Sequence, residues 1–100
     1  NRLVADMTAI PTMQGFGCPV VFDATHVVRQ IGLPGGGDGG GRPEHVPALA
    51  RAAVAAGCDA LFIETHPRPA EARCDAASQL PLDALPGLLD RALAIARCVR

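Results

Sequence analysis

The chain has 100 residues, 49% of them hydrophobic, and a formal net charge of -1 at pH 7. This length fits one small domain or part of a larger one, and the apolar content predicts a packed core and not a disordered chain. The near-neutral charge and the scarcity of aromatic residues, all Phe, give no reason to expect nucleic-acid binding or attraction to an anionic membrane, and no apolar run approaches the length of a membrane span.

The cysteines and basic residues narrow the chemistry further. The four cysteines form no C-x-x-C pair and match no zinc-finger spacing, so we expect free thiols in an intracellular protein. All basic residues are Arg, which excludes a Schiff-base lysine from this chain.

The first part of the chain predicts two strands joined by a short helical connection. Residues 3–5 form a short apolar run that ends at Asp6, which we interpret as structural. Residues 20–23 predict a buried strand, because Val, Val and Phe suit a pleated surface that is covered on both faces. Asp23 and His26 follow at once, and such residues at a strand end can ligate a metal or move protons.

Residues 31–43 form a glycine-rich segment without apolar periodicity. A loop of this length inside a compact domain usually has a function, and we interpret it as an active-site loop that closes over a ligand. Its backbone N–H groups could cradle a phosphate beside Arg42, although it lacks the Lys-Ser/Thr ending of a P-loop. The alternative is a surface linker.

The second part of the chain predicts a helix, a strand, an irregular segment and a final helix. Residues 44–56 have an apolar face of small residues and are followed by Gly57, a left-handed helix end. Residues 61–63 predict a strand, and residues 67–81 an irregular segment that carries Asp75. Leucine and alanine at helical spacing follow Asp83, which we expect to be the N-cap.

The resulting order is βαβαβα, in which helices connect consecutive parallel strands. Three strands are too few for a closed barrel of eight, so the sequence predicts an α/β fold that forms the last third of a (β/α)8 barrel. The residues Leu61-Phe62-Ile63-Glu64-Thr65-His66 repeat the layout of residues 20–26, which indicates polar groups at the carboxyl ends of parallel strands. Ordinary strand-end capping is the alternative interpretation of these side chains.

Five motifs in register resemble one enzyme family. They are Asp23-Ala24-Thr25-His26, the glycine-rich loop after it, Arg51-Ala52-Ala53-Val54-Ala55, Leu61-Phe62-Ile63-Glu64-Thr65-His66-Pro67 and Cys74-Asp75-Ala76. Together they resemble the C-terminal portion of the 3-deoxy-D-manno-octulosonate 8-phosphate synthases, also called 2-dehydro-3-deoxyphosphooctonate aldolases.

The resemblance implies a (β/α)8-barrel enzyme, a transferase that condenses phosphoenolpyruvate with arabinose 5-phosphate and releases phosphate. It further implies a cytoplasmic homotetramer that serves lipopolysaccharide biosynthesis. A related hypothesis is that the protein is a 3-deoxy-heptulosonate phosphate synthase that uses erythrose 4-phosphate. A third is a truncated, non-catalytic piece, and we expect the 100 residues alone to have no synthase activity.

By the same resemblance, His26, Glu64 and Asp75 are ligands of a divalent metal, Fe, Mn, Co or Zn, and His26 and Asp75 are catalytic. The fourth ligand of that metal-dependent subgroup is a Cys that no cysteine of this chain matches. Imidazole and carboxylate ligands suit such ions. Residues 75–81 look closer to the metal-dependent subgroup than to the metal-free one.

The remaining site residues lie beside these ligands. Asp23 and His66 either hold a ligand in place or close a turn, and both alternatives stay open. The substrate-binding residues are expected to be Arg29, Gln30, Asp38 and Arg42. The loop departs from the family pattern, with Val27-Val28-Arg29 where Ser-Val-Gln is usual and Asp38-Gly39-Gly40 in place of Ser-Gly-Gly. An acid where a sugar phosphate should approach is unfavourable, which leaves the sugar open.

Overall fold

Two parallel strands form the centre of the fold, β1 (Val21–Asp23) and β4 (Ala60–Phe62), with Phe22 opposite Leu61. The computed structural model describes residues 3–30 and 40–100 of the chain. Because the two strands are parallel, Asp23 and the residues after Phe62 leave the pair at the same edge. The prediction of parallel strands that end in polar groups is therefore confirmed for these two strands.

Within the described ranges, three α-helices connect and cover the strands: α1 (Ala9–Gln14), α2 (Val46–Ala55) and α3 (Leu85–Val99). Helices α2 and α3 pack against each other. Each begins with a Pro in its first turn, where the missing N–H costs nothing. Helix α2 is followed by Gly57 at φ +97°, which matches the predicted left-handed helix end.

Two further strand pairs flank the central one. The antiparallel pair β2 (Arg29–Gln30) and β3 (Gly40–Gly41) closes the base of the glycine-rich segment. The parallel pair β5 (Thr65–His66) and β6 (Leu80–Pro81) brackets the segment that carries Asp75. The first pair therefore contains the predicted substrate residues Arg29 and Gln30, and the second holds both ends of the segment that carries Asp75.

Single turns of 3-10 helix link these elements. They are His26–Val28, Pro43–His45, Pro69–Glu71, Ala76–Ser78 and Leu82–Ala84. The first of them begins with the candidate ligand His26, and the fourth directly follows the candidate ligand Asp75.

The core consists of two apolar clusters that meet across the central strands. Phe22 and Leu61 contact both clusters. The buried members of one are Ile10, Val20, Ala53, Val54, Cys58 and Ala92, and those of the other are Ala24, Val28, Val46, Ala50, Leu80 and Leu88. The second cluster lies under the carboxyl ends of the strands, so it supports the polar groups there.

Two details of the sequence analysis are wrong. Residues 3–5 are not in a strand, and Val4 is 88% exposed there. Asp83 lies in a 3-10 turn, and α3 has Ala84 at its N-cap with no side-chain cap hydrogen bond. Pro86 and the 3-10 turn organise that helix start without the aspartate.

The cysteines are free thiols, as expected, with Cys58 buried and the other three exposed. Burial raises the pKa of the Cys58 thiol. Across residues 3–30 and 40–100, every helix is too short or too polar to cross a bilayer. Residues 31–39, the larger part of the predicted active-site loop, lie outside the described residues.

Candidate metal centre

Three side chains from separate segments converge at the carboxyl edge of the strands. His26 begins the 3-10 turn after β1, Glu64 lies between β4 and β5, and Asp75 precedes a second 3-10 turn. The Nε2 atom of His26 is 3.0 Å from Asp75 Oδ2 and 3.2 Å from Glu64 Oε1. One ligand atom from each residue lies within 4.8 Å of the others.

These spacings fit the donor set of a cation site. Two atoms bonded at about 2.1 Å to one ion lie about 3.0–3.4 Å apart when the bonds subtend about 90–109°. An imidazole nitrogen and two carboxylate oxygens suit first-row divalent ions. The residues present therefore fit a metal of the predicted kind.

Asp23 fixes the orientation of the His26 ring. Its Oδ2 lies 2.7 Å from Nδ1 of His26, and its Oδ1 accepts the backbone N–H groups of Thr25 and His26 at 3.0 and 2.9 Å. This contact turns Nε2 toward Glu64 and Asp75. A ring that carries its proton on Nδ1 leaves the Nε2 lone pair for a metal, whereas a doubly protonated ring donates to the acids on both sides. The hydrogen bonds to Asp23 and, next, to Asp75 raise the pKa of His26.

Thr25 ties the two strand ends together. It is fully buried, and its hydroxyl oxygen accepts the backbone N–H of Glu64 at 2.7 Å. This bond joins the residue before His26 to the residue that bears the second carboxylate. The repeated acid-x-Thr-His pattern contained this residue, although the sequence analysis gave it no role.

Gln79 holds the carboxylate of Glu64 from the other side. Its Nε2 donates to Glu64 Oε2 at 2.9 Å and to the carbonyl oxygen of Cys74 at 3.3 Å. The residue is only 7% exposed, and its Oε1 has no hydrogen-bond partner in the part of the chain that is described. Sequence analysis missed Gln79, because a single amide in an irregular segment has no periodicity that would mark it.

Asp75 adopts an unusual backbone conformation at the site. Its φ is +50°, a left-handed value that Asp tolerates better than most residues. The hydrogen bond to His26 is the main cause that lowers the pKa of Asp75, and the charge of Arg29 adds to it. The NH1 atom of Arg29 is 3.5 Å from Asp75 Oδ1.

The charges at this edge favour a cation. Asp23, Glu64 and Asp75 all lie within 3.2 Å of a His26 ring nitrogen, and the guanidinium of Arg29 contacts one of the three. With a neutral His26, negative charge remains in excess among these groups. A divalent ion would balance it.

Three of the predicted substrate residues line one groove, and Arg29 of this groove also contacts Asp75. Arg29, Gln30 and Arg42 line a groove of about 270 Å³, together with His45 and apolar side chains. Arg42 also faces Glu44 at 3.7 Å. Asp38 lies outside the described residues.

His66 occupies a different position from the three convergent side chains. Its Nδ1 accepts the backbone N–H of Arg68 at 2.9 Å, so it closes the turn that follows β5. Of the two alternatives that the sequence left open, this contact favours the turn for His66. Asp23 makes both kinds of contact, because its Oδ2 faces Nδ1 of His26 and its Oδ1 accepts the backbone N–H groups that close the turn.

Comparison with known proteins places the chain in a family. A family model described as the DAHP synthetase I family matches residues 1–92. A protein named 2-dehydro-3-deoxyphosphooctonate aldolase from Nitratidesulfovibrio vulgaris (strain DP4) is 62% identical over 91 residues, which are 89% of this chain and 32% of that protein. One of the same name from Brucella ovis is 51% identical over 100 residues, 100% of this chain and 36% of that protein.

Solved structures agree with the sequence comparison. A truncated form of 3-deoxy-D-arabino-heptulosonate 7-phosphate synthase from Thermotoga maritima superimposes with a TM-score of 0.76 at 26% identity, over 95% of this chain and 32% of that chain. A phospho-2-dehydro-3-deoxyheptonate aldolase from the same organism gives the same TM-score and identity over 95% of this chain and 25% of that chain.

Two predictions are confirmed by these comparisons. The fold is part of a (β/α)8 barrel, and the resemblance to the 3-deoxy-D-manno-octulosonate 8-phosphate synthases is shared by curated relatives of that name. The chain spans about a third of the length of these relatives. The chain belongs to the DAHP synthetase I family.

Proposed function

We propose that the protein condenses phosphoenolpyruvate with arabinose 5-phosphate to give 3-deoxy-D-manno-octulosonate 8-phosphate and phosphate. The supporting observation is the convergence of His26, Glu64 and Asp75 in a chain that is 62% identical to a protein named 2-dehydro-3-deoxyphosphooctonate aldolase. In this reaction a carbon–carbon bond forms between C3 of phosphoenolpyruvate and the aldehyde carbon of the sugar. Water adds to C2 of the former phosphoenolpyruvate, and the bond between C2 and the phosphate oxygen breaks, so that phosphate leaves and the oxygen of water stays on C2.

The proposal assigns a divalent metal to His26, Glu64 and Asp75. The bound ion would orient the aldehyde sugar and polarise its carbonyl group or an attacking water. The ion is Fe, Mn, Co or Zn, because the imidazole and carboxylate donors suit borderline first-row metals.

The surrounding residues of this chain prepare those ligands. Asp23 holds the Nδ1–H of His26, which keeps Nε2 directed at the site. Gln79 and Thr25 fix the side chain and the backbone of Glu64, respectively. Such support restricts the ligand atoms to one arrangement, which lowers the cost of binding.

The groove beside the cluster is proposed to receive the phosphorylated sugar. Arg29 and Arg42 supply positive charge for a phosphate, and Gln30 supplies an amide that can bind hydroxyl groups. Asp38 is proposed to contact the same substrate. As an acid it would select against a phosphate at its own position.

A second candidate function uses erythrose 4-phosphate and gives a 3-deoxy-heptulosonate phosphate. The likeness to the two Thermotoga maritima structures favours it, and the altered loop sequence leaves room for a different sugar. The 62% and 51% identities to proteins named for the octulosonate product favour the first candidate.

The deciding experiment measures phosphate release from phosphoenolpyruvate with each of the two sugars. It uses the protein as the cell makes it, as purified, after chelation, and after Mn²⁺ or Zn²⁺ is restored. We expect arabinose 5-phosphate to be the better substrate, chelation to abolish activity, and metal to restore it. Preference for erythrose 4-phosphate would select the second candidate, and full activity after chelation would refute the metal.

The assembly and location of the protein are proposals of the same kind. We infer a homo-oligomer in the cytoplasm that supplies an intermediate of lipopolysaccharide. The 100 residues alone are expected to be inactive, because the strand pairs within residues 3–30 and 40–100 do not close a barrel. Phosphate release by the 100-residue chain would refute that expectation.

A further inference from the structure

Gly41 approaches another backbone segment more closely than a residue with a side chain could. A Cβ atom placed on it would lie 2.4 Å from the carbonyl oxygen of Ala77 and 3.0 Å from its carbonyl carbon. Both are backbone atoms, so no side-chain rotation can relieve the contact. The Cβ of Ser78 would be a third neighbour, at 3.3 Å.

The segment that Gly41 touches is the turn that presents Asp75. The carbonyl oxygen of Asp75 accepts the backbone N–H of Ser78 at 2.9 Å and the hydroxyl of Ser78 at 3.3 Å. Asp75 itself has the left-handed φ of +50°. These bonds make residues 75–78 one tight unit, so a movement of Ala77 is passed to Asp75.

The strand that pairs with Gly41 reaches the same turn through a side chain. Arg29 is the cross-strand partner of Gly41, and its NH1 is 3.5 Å from Asp75 Oδ1. The backbone N–H of Arg42 donates to the carbonyl oxygen of Val28 at 2.9 Å, which extends the β2–β3 pairing. The β2–β3 pair therefore meets the Asp75 turn twice, by backbone and by charge.

We propose that Gly41 is a positioning residue for the metal centre, an inference that rests on the metal proposed above. Its lack of a side chain lets β3 lie against Ala77, and this contact sets the distance of Asp75 from His26. A side chain at position 41 must open the 2.4 Å contact to about 3.4 Å, where ordinary contacts begin, a shift of about 1 Å. Metal–ligand distances tolerate only about ±0.2 Å.

The test measures the Kd for Co²⁺ of two variants, Gly41→Ala and Gly87→Ala, in the protein as the cell makes it. Gly87 is the matched control, because a Cβ there would meet nothing within 4 Å. Titration with Co²⁺, followed by visible absorbance, is expected to show a Kd raised about tenfold or more for Gly41→Ala. The Kd of Gly87→Ala should stay within about twofold of the wild type, because its Cβ has no contact to disturb.

A second readout separates positioning from folding. The thermal midpoint of each variant is measured with and without Co²⁺, so each chain is compared with its own metal-free form. A smaller Co²⁺-induced rise for Gly41→Ala than for Gly87→Ala supports the proposal, even where the metal-free midpoint falls. An equal rise and an equal Kd would overturn it. Wild-type protein without Co²⁺ absorbance bands would instead refute the metal site, and this proposal with it.

Discussion

The two ends of the central strand pair use aspartate in opposite ways. At the amino end, Asp59 precedes β4 and accepts the backbone N–H of Val20 at 2.7 Å and the Nε2 of Gln14 at 3.1 Å. At the carboxyl end, Asp75 and Glu64 both face one nitrogen of His26. At the amino end one carboxylate accepts from several donors, whereas at the carboxyl end two carboxylates face the same ring nitrogen of His26.

The amino end is a closed hydrogen-bond network. Gln14 also donates to the carbonyl oxygen of Gly57 at 2.7 Å, and Arg100 donates to the carbonyl oxygen of Cys58 at 2.8 Å. The groups that reach Asp59 come from α1, from Val20 just before β1, and from Arg100, whose NH2 lies 3.8 Å from Asp59 Oδ1. This network joins elements that are distant in sequence, and its polar groups bond to one another.

The difference between the ends agrees with the general division of labour in (β/α)8 barrels. Functional groups gather at the carboxyl ends of the strands, and the amino ends serve stability. Hydrogen bonds lower the pKa of both Asp59 and Asp75, so a shifted pKa alone does not separate the two roles. The arrangement of donors and acceptors separates the two roles, because Asp59 accepts from several donors, whereas Glu64 and Asp75 share one nitrogen of His26.

The largest expected effect is the loss of metal on removal of a ligand. His26→Ala and Asp75→Ala should each lower metal affinity by more than about 100-fold, and the activity of the protein should fall with it. Metal content after gel filtration and phosphate release from phosphoenolpyruvate provide the two measurements. Asp90→Ala, an exposed aspartate on α3, is the matched control. A fully loaded and active Asp75→Ala protein would refute the ligand assignment.

Gln79→Ala tests the support of Glu64 and should have an intermediate effect. Loss of the 2.9 Å bond to Glu64 Oε2 frees that carboxylate, so we expect metal affinity to fall about 10- to 100-fold. The measurement is the Co²⁺ Kd, with Gln14→Ala as the control, because Gln14 belongs to the amino-end network. Equal Kd values for the two variants would contradict the assigned role of Gln79.

The family resemblance predicted His26, Glu64 and Asp75 as a group, whereas the repeated strand-end motif by itself predicted only polar groups at one edge of a parallel sheet. The parallel pairing followed from the helices between the strands. The same approach failed for residues 3–5, where an apolar run lies exposed and is not in a strand. A local pattern indicates that a segment can form a strand, whereas pairing requires a neighbour.

Two contacts beside the ligands, those of Gln79 and of Gly41, were outside the reach of sequence analysis, although Asp23 had been named as a candidate support. Gln79 and Glu64 are separated by a segment that has no periodicity, and the approach of Gly41 to Ala77 depends on backbone geometry alone. Gly41 stood in a run of glycines that predicted only a permissive loop. The contact with the Ala77 backbone explains why position 41 must be a glycine. Composition alone could not distinguish this glycine from its neighbours in the run.

The smallest expected effect concerns Asp59 and tests the amino end. Asp59→Asn should lower the thermal midpoint at pH 7, because the charged acceptor of the Val20 N–H and the Gln14 amide is lost. Metal affinity should stay within about twofold of the wild type, since the network is apart from the metal ligands. A loss of metal affinity comparable to that of Gln79→Ala would remove the proposed division between the two ends.

The pH dependence of the thermal midpoint tests whether Asp59 stabilises the fold through its charge. Hydrogen bonds from Val20 and then Gln14 lower the pKa of Asp59 in the folded chain. The charged form therefore stabilises the fold above the unfolded pKa of about 4, and this contribution is lost as the pH falls through the folded pKa. The midpoint gap between the wild type and Asp59→Asn should be constant from about pH 7 to 5 and close below about pH 4. The other acids are common to both chains, so a gap of the same size throughout acidification would show that Asp59 acts by shape and not by charge.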